Sequence, residues 1–440
     1  MKLPSDIYGL ICHMQERGIG AFVVGGAVRD IIMGKEPSDY DMAAECTPGE
    51  LVSAFEGYKS FDIGIQFGTL TVFSGERYVE ITCCRRENEY TDHRRPDGVE
   101  YCKSIEEDLC RRDFTVNAIA MDKDGEIIDP FGGQADIKNK LIRAVGDPEK
   151  RFREDALRIL RALRFSSCLC FDIDKETKEA ISACRELLSC VSAERVFAEL
   201  KKLLLGENVF SVLHEFSKEI CTVIPELSPC VGFDQHNSYH IYTVYDHIAH
   251  AVEKSPADTD IRLAMLLHDV GKPPLFFIDE KGIGHFWGHP ELSEKMAREI
   301  LLRLKADRET VEHVCHLIKY HDVRPEATRK SLHKYASKVG FKAALELIHV
   351  RRADVLSQAP QYFYQLEGLQ ESERIIRELM AEGACVSISD MMINGKDLID
   401  MGFPEGKKVG EILRCLLKRI IKEDIKNDRE ELLREAKKLL

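Results

Sequence analysis

The sequence predicts an α+β protein in which a small mixed-sheet head precedes an all-α body. Three observations carry this prediction. Over roughly the first 145 residues, short apolar runs with β-branched and aromatic side chains alternate with short helical patterns. From about Pro148 onward the pattern changes to long amphipathic helices and does not change back. At 440 residues the chain is too long for one core, so several domains are expected.

The elements follow in order. An apolar strand at Ala21–Val24 leads into Gly25-Gly26, which opens a short helix carrying Arg29 and Asp30. Backbone N–H groups at such a turn can face an anion. The next strand is expected to carry Asp39-Tyr40-Asp41, with both carboxylates on one face because strand side chains alternate. Residues 68–73 (GTLTVF) and 78–82 (YVEIT) read as strands joined by the hairpin-like Ser74-Gly75-Glu76. Residues 154–165 read as one helix with apolar positions on more than one side. Gly206, Pro225, Pro229 and Gly232 mark a boundary, after which a histidine-rich helical region runs to about residue 360. Amphipathic helices with a loop at 401–408 (MGFPEGKK) close the chain. The expected domains are 1–145, 146–235, 236–370 and 371–440.

Composition narrows the function. No apolar run approaches the roughly 20 residues of a bilayer span, so no membrane partner is expected. The N-terminal segment lacks a signal-peptide pattern, and the 15 cysteines are odd in number and scattered. A cytoplasmic protein with reduced thiols is the expectation. The net charge of −13 argues against generic polyanion binding, but two segments are locally basic. Lys140 to Arg164 holds eight Lys/Arg against four Asp/Glu, and Pro404 to Leu440 holds eleven against eight. A nucleic-acid backbone could rest on either, and salt-sensitive phosphate contacts are expected near Arg161 and Arg164. A solvated helix face explains the tail cluster at least as well.

Three constellations in the first half bear chemistry. Asp39 and Asp41, beside a phosphate-sized turn, suit a pair of Mg²⁺ ions holding a nucleoside triphosphate. Arg111-Arg112-Asp113-Phe114-Thr115-Val116-Asn117 offers guanidinium groups for phosphate, with Asp113 and Asn117 as partners for a ribose hydroxyl. Arg153-Glu154-Asp155-Ala156-Leu157-Arg158 continues to Arg161 and Arg164. On a continuous helix, Asp155 and Arg158 would be neighbours on one face, a plain ion pair or something more.

Together these motifs, in this order and spacing over roughly residues 15–200, resemble the class II CCA-adding enzymes (tRNA nucleotidyltransferases). The resemblance implies a nucleotidyltransferase head in which Asp39 and Asp41 bind Mg²⁺, with Glu80 as a third carboxylate. It implies that Gly25, Gly26 and Arg29 meet the triphosphate and that Arg112, Asp113 and Asn117 hold phosphate and sugar. Glu154, Asp155 and Arg158 would be the nucleotide-selecting element, with Arg161 and Arg164 also at the nucleotide. Cytosine and adenine both present an amino donor beside a ring-nitrogen acceptor, which a carboxylate next to a guanidinium matches. Guanine and uracil present the reverse pattern and would leave polar groups unpaired. Arg94, Arg95 and Asp97 resemble the family's flexible loop, although His93 stands where many relatives carry another basic residue. The implied reaction adds or repairs the 3′-terminal CCA of tRNA from CTP and ATP without a nucleic-acid template, releasing pyrophosphate.

The second half carries His268-Asp269-Val270-Gly271-Lys272 after the apolar segment 263–267. With His247, His289, His321 and Asp354, these residues can build a divalent-metal site. His313 and His316 compete with the later histidines, and His240 and His250 with His247. The pattern resembles the HD phosphohydrolase superfamily and the longer ligand set of its dinuclear members, so an HD domain precedes the helical tail. The resemblance implies Ni²⁺, Mn²⁺ or Mg²⁺ there and an additional phosphohydrolase activity. Competing readings are a poly(A) polymerase, an enzyme adding only CC or only A, and an HD phosphohydrolase whose N-terminal half merely binds RNA. A monomer or a homodimer fits the sequence equally.

Overall fold

The computed structural model describes residues 3–87 and 98–439. Arg94, Arg95 and Asp97, expected in the flexible loop, lie outside the described residues. The chain divides into two compact units, 1–225 and 226–440. The four-domain division is finer than this.

In the first unit, β1 (Ala21–Val24), β2 (Asp41–Ala44), β3 (Ser60–Phe61), β4 (Thr69–Ser74) and β5 (Arg77–Cys83) join β8 (Ala120–Met121) and β9 (Ile127–Ile128). They form a seven-stranded mixed sheet in the order β3-β4-β5-β2-β1-β8-β9. Between them in sequence, β6 (Arg85–Glu87) and β7 (Val99–Tyr101) form a separate antiparallel pair. The predicted strands at 68–73 and 78–82 are present, displaced by a residue or less at most ends. Register places the chemistry: β2 runs parallel to β5 with Asp41 opposite Glu80, and antiparallel to β1 with Asp41 opposite Val24. Asp39 departs from expectation, because β2 begins only at Asp41 and Asp39 lies in the segment leading into it. Val24, Ala43, Ala118, Ala120 and Val145 close the core over one face with Ile105 and Leu109.

The helix expected over 154–165 is broken. One helix ends at Glu154, Asp155 is extended (φ −140°, ψ 104°), and a second helix runs Leu157–Leu169. Asp155 causes the restart, since its carboxylate accepts from the Leu157 N–H at 3.1 Å as a helix-capping side chain does. The second helix is buried on several sides and packs on the helix Ala193–Leu204. The body is not wholly helical either, because β10 (Leu141–Ile142) pairs in parallel with β11 (Asp172–Ile173).

In the second unit, Thr243, Asp258, Asp307 and Thr328 cap helices at Val244–Lys254, Thr259–Leu267, Arg308–Tyr320 and Arg329–Val339. The helix Phe341–Leu356 packs against all four of these. A short hairpin, β12 (Phe277–Ile278) with β13 (Gly284–His285), precedes the helix His289–Arg303. The last segment has its own core around Leu398, Leu416, Leu432 and Ala436. All 15 cysteines are free thiols, Cys46 and Cys83 approaching to 4.0 Å. Among the described residues, no helix is long and apolar enough to cross a membrane.

Candidate functional site

In the first unit a cavity of about 470 Å³ opens beside Asp41. Gly25 and Gly26 form part of its wall. Gly25 has φ +71°, a conformation that favours glycine, and a Cβ there would displace the Arg112 guanidinium, whose Nη1 lies 2.9 Å away. Burial raises the Asp41 carboxyl above the ordinary aspartate range, and the charges of Asp39 and Glu80 push it the same way. A buried carboxylate crowded by two further carboxylates is a donor that a divalent cation relieves.

Facing Asp41, the cavity is lined by Arg29, Arg111, Arg112, Arg158, Arg161, Arg164 and Arg195. Among the described residues, Asp113 and Asp155 are the other carboxylates in its wall, so a polyanion is favoured inside. A network holds these cations in place. Arg29 donates to Asn117 Oδ1 at 2.8 Å and to Asp30 at 2.8 Å. Arg112 is held by the buried Asp108 at 3.2 Å. Asp113 accepts from Arg161 Nε at 2.7 Å and from the Phe114 N–H at 2.8 Å. Burial raises the Asp113 pKa, but the Arg161 and Arg158 charges outweigh it and bring the carboxyl to about 2. Arg164 pairs with Glu199 at 2.6 Å and lies over the Phe165 ring at 3.9 Å.

Most of the expected nucleotide residues therefore line one cavity: Gly25, Gly26, Arg29, Asp41, Arg112, Asp113, Asn117, Asp155, Arg158, Arg161 and Arg164. Asp39, Glu80 and Glu154 do not line it. The expected Asp155–Arg158 neighbour pair is not formed, because the helix restarts between them. Asp155 instead pairs with Arg195 at 2.7 Å, and Arg158 with Glu154 at 2.8 Å. Arg161 and Arg164 both lie in this cavity wall and are ion-paired there, to Asp113 and Glu199. Arg195 and Phe165 were not singled out in the sequence. Phe165 sits inside the REDALRILRALRF motif, but nothing local to Arg195 marks it; packing of its helix brings it in.

The second unit gathers all six expected metal-site residues. His247, His268 and Asp354 form one group, and Asp269, His289 and His321 another, with ligand atoms in each within 4.8 Å of one another. Asp269 lies between the groups: its carboxylate is 3.4 Å from His247 Nε2, 3.1 Å from His268 Nε2 and 3.3 Å from His289 Nε2. All four histidines are oriented alike. Nδ1 of His247, His268, His289 and His321 donates to a backbone carbonyl, at 3.1, 2.7, 2.9 and 2.6 Å. This tautomer leaves each Nε2 lone pair facing the centre, as metal-binding histidines require. The buried Nε2 atoms of His247 and His268 lie 3.1 Å from the carboxylates of Asp354 and Asp269, and imidazole nitrogens converging with carboxylates fit a divalent cation.

Burial, reinforced by His268 and His289, pushes His321 down to about 3. Lys272 Nζ contacts Asp269 at 2.7 Å and Gln235 Oε1 at 2.9 Å, and Arg351 pairs with Asp354. The competing histidines fall elsewhere. His313 pairs with Glu346 at 3.0 Å, His316 packs on Tyr320, and His250 on Tyr242. His240 is beside His247, ring centroids 4.7 Å apart, but belongs to neither group.

Three family descriptions match the chain. "Poly A polymerase head domain" covers residues 21–143, "Probable RNA and SrmB-binding site of polymerase A" covers 170–218, and "tRNA nucleotidyltransferase domain 2 putative" covers 285–436. A CCA-adding enzyme of Ligilactobacillus salivarius is 34% identical over 97% of this chain and 94% of its own length. One of Geobacillus stearothermophilus is 32% identical over 98% and 96%. The crystal structure of the Bacillus stearothermophilus CCA-adding enzyme in complex with CTP superposes with a TM-score of 0.75 at 28% identity, covering 100% of this chain and 98% of that one.

Proposed function

Since this chain belongs to the CCA-adding enzyme family, we propose that its arginine-lined cavity binds CTP and ATP and adds the 3′-terminal CCA to tRNA. The observation that supports this most is the convergence of seven arginines on a glycine turn and Asp41. The 3′-hydroxyl oxygen of the RNA bonds to the α-phosphorus, the bond to the β-phosphate oxygen breaks, and pyrophosphate leaves. Asp39, Asp41 and Glu80 would hold a divalent metal such as Mg²⁺, which when bound supplies positive charge at the attacking and leaving oxygens. Arg29, Arg112 and Arg161 bind and orient the triphosphate, and Asn117 and Asp113 fix those cations while approaching the ribose.

Asp155 and Arg158 face the base with an acceptor and a donor, each steadied by its own partner, Arg195 and Glu154. That arrangement admits cytosine and adenine and excludes guanine and uracil, so no nucleic-acid template is needed. The remaining helices of the first unit read tRNA by shape and backbone. The protein works in the cytoplasm, as a monomer or homodimer. The test supplies tRNAs ending before CCA, after C and after CC with each nucleoside triphosphate alone and together. Extension that stops at CCA is expected; a long A tail would place the chain among poly(A) polymerases.

A second reading has its own observation. The four histidines presenting Nε2 around Asp269 support a dinuclear centre of the HD type, holding Ni²⁺, Mn²⁺ or Mg²⁺. A cation bound there supplies charge stabilisation for phosphoester hydrolysis. Phosphate release from 2′,3′-cyclic nucleotides by the wild type, lost in the His268→Ala/Asp269→Ala variant, is expected. No release with any of the three metals would refute the hydrolytic reading.

A further inference from the structure

A cavity of about 210 Å³ opens between the helices Arg329–Val339, Phe341–Leu356 and Gln365–Ala381 of the second unit. None of the six metal-site residues lines it. Leu332, Leu347 and Ile348 are buried in its wall, and Leu369 is half-buried there. An apolar cavity of about 150 Å³ is enough to hold benzene, so this one has room for a six-membered ring with a short substituent.

Its polar groups select the substituent. Tyr335 lines the cavity at 7% exposure, and among the described residues nothing shares a hydrogen bond with its hydroxyl. Buried tyrosine hydroxyls normally have a partner. Burial raises the phenol above its ordinary range, so it stays protonated and offers a donor. Arg324 and Arg351 also line the cavity, and among the described lining residues there is no carboxylate. Arg351 is committed to Asp354 and to Gln365 Oε1 at 3.0 Å. Arg324 pairs with Asp322 at 3.0 Å, but both side chains are largely exposed, so water screens the pair and the guanidinium can turn to another anion. At the rim, Gly368 sits within a helix although a Cβ there would meet nothing within 4 Å. Glycine weakens a helix relative to alanine and no neighbour requires it here, so its effect is to leave the entrance open.

We propose that this cavity binds a small aromatic acid, its ring among Leu332, Leu347 and Ile348 and its carboxylate accepting from Tyr335 and Arg324. The ring is held by apolar burial, and the carboxylate satisfies the phenol while meeting the positive wall. The site is independent of the metal centre and of the head cavity.

The test follows 4-fluorobenzoate by fluorine NMR with the full-length protein, CTP being present in excess to fill the head cavity. Saturable broadening is expected, and unlabelled benzoate should displace the probe. Toluene keeps the ring and loses the charge, and should compete at least about tenfold less well, the scale of one charge-assisted hydrogen bond. Tyr335→Phe removes only the hydroxyl and should weaken the probe about tenfold. Leu369→Trp narrows the cavity and should abolish binding, with thermal unfolding checking that the variant is folded; if it is not, Tyr335→Phe decides alone. Absence of saturable binding to the wild type would overturn the proposal. Binding unchanged in Tyr335→Phe would also overturn it, by moving the probe to another cationic surface. Toluene competing as well as benzoate would leave a purely apolar cavity and remove the acid.

Discussion

Replacing Asp113 by Asn tests the ion-pair frame of the head cavity. The Asp113 carboxylate is only 8% exposed as a side chain and is bonded by Arg161 at 2.6 Å. Its pKa falls from 3.8 to about 2 on folding, because the Arg161 and Arg158 charges and the Phe114 N–H outweigh the cost of burial. A depressed folded-state pKa means stability that is present above the unfolded value and lost as pH falls through the folded one. That depression corresponds to about 2 kcal/mol at neutral pH, roughly half of it lost by about pH 3.

Asp113→Asn should therefore lower the unfolding free energy of the first unit by about 2 kcal/mol at neutral pH, and by about 1 kcal/mol less near pH 3. The assay is urea denaturation of wild type and variant across that pH range. Arg161 loses its anchor in the same variant, so KM for CTP should rise about tenfold if one charged contact is misplaced. A stability gap that stays constant from neutral pH to about pH 3 would refute the electrostatic reasoning. So would a gap under about 0.5 kcal/mol, the scale of an unremarkable surface change.

Three other outcomes are expected. Asp41→Ala should abolish nucleotide incorporation while leaving tRNA binding by gel shift largely intact, and near-wild-type incorporation would remove the metal assignment. Arg158→Ala should relax base choice in single-nucleotide extension assays, and unchanged rejection of GTP and UTP would assign Arg158 a purely structural role beside Glu154. Leu416→Ala, at a fully buried position of the C-terminal core, should cost about 2–5 kcal/mol. The loss should show in hydrogen exchange confined to the surrounding helices.

Much of the head cavity was legible because its residues sit in contiguous motifs whose chemistry is local. The glycine turn after a strand and RRDFTVN are each recognisable within a few residues, whereas of the paired aspartates only Asp41 lines the cavity. The two-fold strand period likewise located the sheet segments within about a residue of their ends. Periodicity failed at Asp155, where an apolar pattern compatible with one helix conceals a capping aspartate that stops one helix and starts another. Side chains that compete with the backbone for hydrogen bonds leave no mark in a hydrophobic pattern. The six residues of the second centre were readable as a set, but its rivals His313, His316 and His250 were separated from it only by where their helices point them.

What the sequence determined by itself was the fold class and the family, since these follow from residue type and short-range spacing. Tertiary structure alone decided the partnerships. Parallel register sets Glu80 beside Asp41, helix packing brings Arg195 from 40 positions away to Asp155, and four backbone carbonyls turn four imidazoles toward Asp269. Such contacts depend on distances between elements remote in the chain, which neither composition nor period encodes.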